Sequence, residues 1–236
     1  MELWKFNELP YLKMWSAENS MVYIPLFDKM KPQIVDSDVF ESQSQPISFG
    51  SILDELSDYL ICASQYHRYQ KRKFSCLPYI THCIAVAKLI HDCHPTEVLA
   101  IKGALLHDTI EDTECTYEDL ETKFPDVAKI VLEVTDDNSI PKIDRKRNQI
   151  ASGPHKSREA KLIKISDKIH NCKSFCYELD DKEQLYAILA FSKLVIDGMR
   201  GTSEPLENIF DDLFFRHMPT NCDINALAEK YLERKQ

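Results

Sequence analysis

From Ser51 to the end of the chain, the sequence is a succession of predicted helices whose ends can be recognised. Proline opens several of these helices and glycine closes two of them, as is usual at helix termini. The predicted segments are 51–70, 81–91, 95–107, a helix opened by a capping box of Thr116 and Asp119, 125–134, 142–151, 158–175, 182–200, 204–217 and 224–234. Only five glycines occur in 236 residues, so tight hairpins and glycine-rich phosphate loops are not expected. The predicted fold class is therefore all-α, a helical bundle.

Residues 1–50 differ in composition from the rest of the chain. Four prolines (Pro10, Pro25, Pro32 and Pro46) interrupt any long helix, and the many aromatic residues make the segment too apolar for a solvated tail. We expect an irregular N-terminal arm and linker over 1–50, followed by one helical domain over 51–236. The composition of the arm does not choose between covering a cleft, self-association and delivery elsewhere.

The charge of the chain restricts its partners. A formal net charge of -9 argues against nucleic-acid binding, which needs a basic surface, but leaves a small anionic substrate open. No run of about 18 apolar residues exists, and the first residues do not resemble a signal peptide, so we expect a cytoplasmic protein without membrane contact. Eight cysteines without a C-x-x-C pair are expected to be reduced core residues. The sequence does not decide the oligomeric state.

Residues 107–112, with the sequence HDTIED, concentrate polar groups after an apolar run. If they lie on about one turn of a helix, Glu111 is one turn from both His107 and Asp108, and Asp112 is one turn from Asp108. Carboxylates this close repel each other unless a cation lies in front of them. Imidazole beside carboxylate is a good ligand pair for a divalent metal. The segment therefore predicts a metal-binding dyad, His107 and Asp108, with two further acids beside it.

His82 and Asp167 extend this dyad to a possible set of four ligands, each predicted to lie on a helix. A carboxylate that follows an apolar run is expected to be partly buried and to need a partner or a metal. Taken alone, His82 is more often a hydrogen-bonded residue at a helix start, and Asp167 more often an ion-pair partner of a neighbouring lysine. The combined order H…HD…D, with gaps of 25 and 59 residues, favours the metal set.

This order and the residues around it resemble the HD phosphohydrolase superfamily, and within it the hydrolase domain of RelA/SpoT proteins, especially the small stand-alone members. The resemblance implies an HD-domain helical bundle and covers about residues 52–215. It is carried by segments 72–73, 78–82, 104–113, 134–137, 141–147 and 164–171.

The resemblance also implies a reaction and its residues. One Mn²⁺ would be held by His82, His107, Asp108 and Asp167, while Glu111 and Asp112 would position and activate the attacking water. The implied reaction removes pyrophosphate from the 3′ position of guanosine tetra- or pentaphosphate and gives GDP or GTP. The chemistry is consistent, because a metal lowers the pKa of bound water and a nearby acid can take its proton.

A highly anionic nucleotide also needs cations, and two basic clusters, 68–73 and 142–147, match segments that line the cleft in the family. The resemblance makes five residues candidate substrate contacts: Arg72, Lys73, Lys142, Arg147 and Asn171. The remaining histidines, His67, His91, His94, His155 and His217, are interpreted as surface or structural residues.

Three departures from the family pattern concern nucleotide selection. The loop 74–77 is one residue shorter than usual, His170 stands where tyrosine is common, and Ile188 aligns with a ligand-contacting tyrosine. Two alternatives therefore stay open. One is an HD phosphohydrolase acting on another nucleotide, such as removal of the 2′-phosphate of NADPH, and the other is a non-catalytic alarmone-binding module.

Overall fold

The computed structural model describes residues 2–6, 9–15, 21–25, 45–46, 52–73 and 75–233. The chain divides into two compact units, Met1–Glu55 and Leu56–Gln236. Side chains are described from residue 56 onward. The boundary predicted between residues 50 and 51 stays a prediction.

The described residues from 52 onward are helical apart from their connections, which confirms the all-α prediction for this part of the chain. The helices are α1 Ile52–Tyr66, α2 Ile80–Cys93, α3 Val98–Leu106, α4 Thr109–Asp112, α5 Tyr117–Lys123, α6 Ala128–Val134, α7 Lys142–Ser152, α8 Arg158–Glu178, α9 Lys182–Asp197, α10 Glu204–His217 and α11 Ile224–Glu233. A short 3₁₀ turn, Gly153–His155, follows α7.

The side chains that begin these helices explain why local sequence signals located them well. The capping box of Thr116 and Asp119 is confirmed at the start of α5. Ser157 caps α8 and Ser203 caps α10, each by accepting a hydrogen bond from a backbone N–H of the first turn. The starts of α3 and α6 are exceptions, because these helices begin at Val98 and Ala128, three residues after the prolines predicted to open them.

The prediction of an irregular N-terminal arm was wrong, because the segment contains four strands: β1 Glu2–Phe6, β2 Leu9–Trp15, β3 Met21–Pro25 and β4 Gln45–Pro46. They form an antiparallel sheet in the order β3-β2-β1-β4. Trp4 pairs with Tyr11, and Leu12 pairs with Ile24. Aromatic and β-branched residues favour strands, and prolines that exclude a helix are tolerated at strand ends. The other residues of the predicted arm lie outside the described part of the chain.

Helix α8 forms the centre of the helical unit. It packs against α2, α3, α6, α9 and α10, and every residue from 162 to 169 is buried, the polar ones included. Leu162, Ile163, Ile165 and Ile169 are fully buried. Each such side chain contributes roughly 1.5–3 kcal/mol through burial. This packing places Asp167 in the interior.

A glycine lets α3 approach α8 closely. A Cβ at Gly103 would lie 2.9 Å from Ile163 Cδ1 on α8 and 3.4 Å from Ile130 Cγ2 on α6. A larger residue would have to displace one of these neighbours. The close approach places the C-terminal end of α3, where the HD dyad begins, beside α8.

Two further sequence expectations bear on the helical unit. All eight cysteines are free thiols, but only Cys62, Cys83, Cys115 and Cys172 are buried, so the core prediction holds for these four and was wrong for the exposed Cys76. Among the helices that the structure describes, none has the length and apolar character needed to cross a membrane.

Candidate metal and catalytic site

The HD dyad lies at a junction between two helices, so residues 107–112 do not form one uninterrupted helical turn. Helix α3 ends at Leu106, and Asp108 has φ −101° and ψ 0° before α4 begins at Thr109. The Thr109 hydroxyl donates to the Leu106 carbonyl at 2.7 Å, a side-chain bond that competes with the helical ladder. The Asp112 N–H still bonds to the Asp108 carbonyl, so the two further acids remain one turn away.

The structure brings together all four residues predicted as metal ligands. His82 Nε2 lies 3.4 Å from Asp108 Oδ2 and 3.2 Å from Asp167 Oδ1. His107 Nε2 lies 3.0 Å from Asp108 Oδ2 and 4.0 Å from Asp167 Oδ1. Helix α2, the α3–α4 junction and α8 each supply part of this set. Both histidines are almost completely buried.

One nitrogen in this cluster has the character of a metal ligand. His107 Nδ1 lies 2.8 Å from the Ala104 carbonyl, which can only accept, so Nδ1 donates to it and Nε2 is the nitrogen left to bind a cation. Among the described residues, this buried Nε2 has no hydrogen-bond partner. Two imidazole nitrogens and two carboxylate oxygens around it suit a divalent ion such as Mn²⁺, Fe²⁺ or Co²⁺.

The carboxylates of this cluster are ionised at neutral pH. Burial alone would raise the pKa of Asp108, but the positive charge that His107 carries in the absence of a metal, together with His82, holds it well below its usual range. Burial likewise opposes ionisation of Asp167, and the charge of Lys168 together with His82 keeps its pKa low. A metal ligand must be deprotonated, so these groups are in the required state.

Asp167 connects the cluster to two of the predicted substrate contacts. Asn171 Nδ2 donates to Asp167 Oδ1 at 2.5 Å, and Arg72 Nη2 donates to Asn171 Oδ1 at 2.8 Å. Lys168 Nζ lies 3.7 Å from Asp167 Oδ2, so Asp167 also has the ion pair with a neighbouring lysine that was the alternative to metal binding. Lys164 instead lies 3.8 Å from Asp136.

Tyr79 is a site residue that sequence reasoning missed. Its hydroxyl lies 2.7 Å from Asp108 Oδ2 and 3.1 Å from Asp112 Oδ2, so it donates between a candidate ligand and a candidate catalytic acid. Tyr79 falls in the segment 78–82 that carried the family resemblance, but the hydrogen-bond partners of a tyrosine hydroxyl cannot be predicted from the sequence alone. Asp112 lies at the rim of the site. Desolvation and the charge of Asp108 raise its pKa despite the hydrogen bond from Tyr79.

Glu111 is held from the other side. Its Oε2 accepts the Asp136 backbone N–H at 2.9 Å, and its backbone carbonyl accepts from Asn138 Nδ2. Burial raises the pKa of Glu111, against the opposing charge of Lys164, and the charges of Asp136 and Asp108 add to the rise. A carboxylate with a raised pKa is better suited to take a proton near neutral pH.

Basic residues from both predicted clusters lie near one another. Partial burial lowers the pKa of Lys142, and the charges of Lys73 and Arg145 lower it further. Arg147 lies apart, with Nη2 3.5 Å from Glu229 Oε2 on α11 and both side chains about half exposed. The structure therefore groups Lys73 with Lys142, groups Arg72 with Asn171, and places Arg147 beside a different partner.

Two other histidines lie next to the candidate ligands. His67, interpreted as surface or structural, is buried and has its ring 4.9 Å from that of Tyr79. His170 Nδ1 lies 2.7 Å from His82 Nδ1. Burial and the charges of His82 and Arg72 lower the pKa of His170 to about 3. The sequence marked position 170 only as a departure from the family pattern.

Comparison with known proteins identifies relatives over about two thirds of the chain. Residues 60–191 match the family described as HD domain. The mouse guanosine-3′,5′-bis(diphosphate) 3′-pyrophosphohydrolase MESH1 is 37% identical over 171 residues, which are 70% of this chain and 96% of the relative. The human MESH1 protein has the same identity and coverage.

A solved structure of a metazoan orthologue of SpoT, described as hydrolysing ppGpp, superposes with a TM-score of 0.66. It is 36% identical, and the match covers 69% of this chain and 94% of that one. The four candidate ligands all lie within the residues that match the HD domain.

Proposed function

We propose that this chain, which belongs to the HD domain family, is a metal-dependent hydrolase that removes pyrophosphate from the 3′ position of guanosine tetra- or pentaphosphate. The products are GDP or GTP and pyrophosphate. The observation that carries this proposal is the convergence of two imidazole nitrogens and two carboxylate oxygens, 3.0–4.0 Å apart across the four measured pairs, with two further acids beside them. The MESH1 relatives, which the chain matches over nearly their whole length, are named for the same reaction.

His82, His107, Asp108 and Asp167 would hold one divalent cation, and we propose Mn²⁺ on the strength of the family resemblance. When bound, such an ion stabilises negative charge on phosphate oxygens and lowers the pKa of a bound water. The lone pair of His107 Nε2 and the ionised Asp108 are the features of this chain that fit the ion.

Glu111 is the proposed general base for the attacking water. Its Oε2 is engaged by the Asp136 N–H, which leaves Oε1 to accept a hydrogen bond from water. Asp112, which shares the Tyr79 hydroxyl with Asp108, would orient the same water from the rim. General-base assistance of this kind contributes about 10²–10⁴ in rate.

Arg72, Asn171, Lys73 and Lys142 are the proposed substrate contacts. The Arg72–Asn171 pair ends at the ligand Asp167, so it lies where a phosphate or ribose oxygen of a metal-bound substrate would be. Lys73 and Lys142, with Arg145 near them, supply positive charge for the remaining phosphates. The role of Arg147 as a contact, like the cytoplasmic location of the enzyme, stays a prediction.

The test is product analysis by ion-exchange chromatography with Mn²⁺ and guanosine tetraphosphate. The unaltered protein should release GDP and pyrophosphate in equal amounts. Asp108→Ala should abolish release, because it removes a ligand. Glu114→Gln, an exposed acid three residues beyond Glu111, is the matched control and should keep full activity. Full activity of Asp108→Ala would contradict the proposed metal site.

A parallel assay with NADPH tests the substrate. Release of phosphate from NADPH without turnover of guanosine tetraphosphate would support the proposed metal site but show that NADPH, not the alarmone, is the substrate. Nucleotide binding without turnover of either compound would favour the alarmone-binding module. Glu111 and Asp112 argue against that module, because a protein that only binds needs no water-activating acid.

A further inference from the structure

His170 makes a contact with a candidate metal ligand that the proposed reaction does not use. His82 Nδ1 and His170 Nδ1 lie 2.7 Å apart, and the two ring centroids are 4.9 Å apart. A distance of this size is a hydrogen bond, and such a bond needs one donor and one acceptor. If the neutral His82 ring donates from Nδ1, its Nε2 has a free lone pair. If His170 donates, His82 Nε2 carries the proton.

The proposed metal site selects the direction of this bond. His82 Nε2 faces Asp108 Oδ2 and Asp167 Oδ1 at 3.4 and 3.2 Å, so this nitrogen must offer its lone pair to a bound cation. The proton of the neutral ring then resides on Nδ1, and His170 Nδ1 accepts it. In the reverse arrangement His82 Nε2 would carry the hydrogen, donate it to the carboxylates and exclude the ion.

The two ligand histidines meet the same requirement in different ways. His107 follows α3, and its Nδ1 donates to the Ala104 carbonyl three residues earlier. His82 stands at the start of α2, and the carbonyl three residues before it, that of Tyr79, already accepts the His82 amide N–H at 2.8 Å. The His170 side chain from α8 is therefore the hydrogen-bond partner of His82 Nδ1, whereas a backbone carbonyl is the partner of His107 Nδ1.

We propose that His170 is a positioning residue that accepts a hydrogen bond from His82 Nδ1 and thereby fixes the tautomer and ring orientation in which His82 Nε2 binds the metal. The inference rests on the proposed metal site. Partners that orient a ligand histidine typically change metal affinity by 10–100-fold when they are removed.

The test compares two replacements of His170 in Mn²⁺ binding, measured by competition with a fluorescent chelator. His170→Phe keeps a ring without an acceptor and should weaken Mn²⁺ binding by about 10–100-fold. His170→Gln supplies an amide oxygen as acceptor and should restore most of that affinity. His91→Phe, an exposed position on α2, should bind Mn²⁺ as the unaltered protein does. Unchanged Mn²⁺ affinity in His170→Phe would overturn the inference.

A second measurement does not depend on whether the variants fold. Long-range ¹H–¹⁵N spectra of the unaltered protein with a diamagnetic divalent cation such as Zn²⁺ bound should show the shared proton on His82 Nδ1 and an acceptor nitrogen at His170 Nδ1. A proton on His170 Nδ1 would refute the inference. Failure of the unaltered protein to bind Mn²⁺ would instead contradict the proposed function, so the two failures can be told apart.

Discussion

At the scale of single residues, Tyr79 lies between a proposed metal ligand and a proposed water-orienting acid. One hydroxyl serves Asp108 and Asp112, so removing it frees both carboxylates while leaving the four ligands in place. Hydrogen bonds to charged groups contribute about 1.5–3 kcal/mol, which corresponds to a loss of roughly 10- to 100-fold in kcat for Tyr79→Phe. Steady-state kinetics with guanosine tetraphosphate and Mn²⁺ checks this.

Tyr69→Phe is the matched control, because the Tyr69 side chain is 85% exposed and should be replaceable without effect on kcat. A kcat of Tyr79→Phe equal to that of the unaltered protein would show that the shared hydroxyl has no part in the reaction.

At the scale of elements, Asp136 joins three helices around Glu111, the proposed general base. It follows α6, its carboxylate accepts from Gln149 and lies 3.5 Å from Lys146 on α7, and Lys164 on α8 lies on its other side. Burial alone would raise the pKa of Asp136, but the charges of Lys164 and Lys146 hold it below its usual range. Asp136 therefore stabilises the fold above its unfolded pKa of about 3.9, and this contribution is lost as pH falls through the lower folded pKa.

Asp136→Asn should lower the free energy of unfolding at pH 7 by about 3 kcal/mol, because it leaves buried lysines without their partner. Urea denaturation between pH 7 and pH 3 should show a smaller fall in stability for this variant than for the unaltered protein. Asp137→Asn, at an exposed neighbour, should change the free energy much less. Equal pH dependence in the unaltered protein and Asp136→Asn would contradict the assignment.

Gly103 determines how closely α3 approaches α8. Gly103→Val should destabilise the fold by about 1–3 kcal/mol through overpacking against Ile163, as measured by thermal unfolding without metal. The displaced end of α3 should also weaken Mn²⁺ binding. Leu99→Val introduces the same β-branched residue at an exposed position of α3 and should change neither the stability nor Mn²⁺ binding. A stable Gly103→Val with unchanged Mn²⁺ affinity would show that the helices do not require the close approach.

At the scale of the whole molecule, the helices were predictable because their signals are local. Proline, serine and threonine at helix starts act on the next turn, so the ends of α5, α8 and α10 follow from a few adjacent residues. The N-terminal sheet was missed because a strand is stabilised by pairing with another strand. The pairing of Leu12 with Ile24 cannot be predicted from either segment alone.

The candidate site shows the same division. The order of histidines and aspartates predicted four ligands that the structure brings together. The partners of those ligands were not predictable, because Tyr79 meets Asp108 and His170 meets His82 only when separate helices pack. The predicted helix ended at residue 107, but the short helix α4 directly after Asp108 was not predicted, because it depends on side-chain bonds to nearby carbonyls.

The central claim is that residues 107–112 divide into a pair that holds a metal and a pair that acts on water. Glu111→Gln tests it most directly, with bound Mn²⁺ and pyrophosphate release measured on the same sample. We predict one Mn²⁺ per chain, as in the unaltered protein, and a turnover rate lower by about 10²–10⁴ because the general base is lost. Turnover at the unaltered rate, or loss of the bound Mn²⁺, would contradict this division.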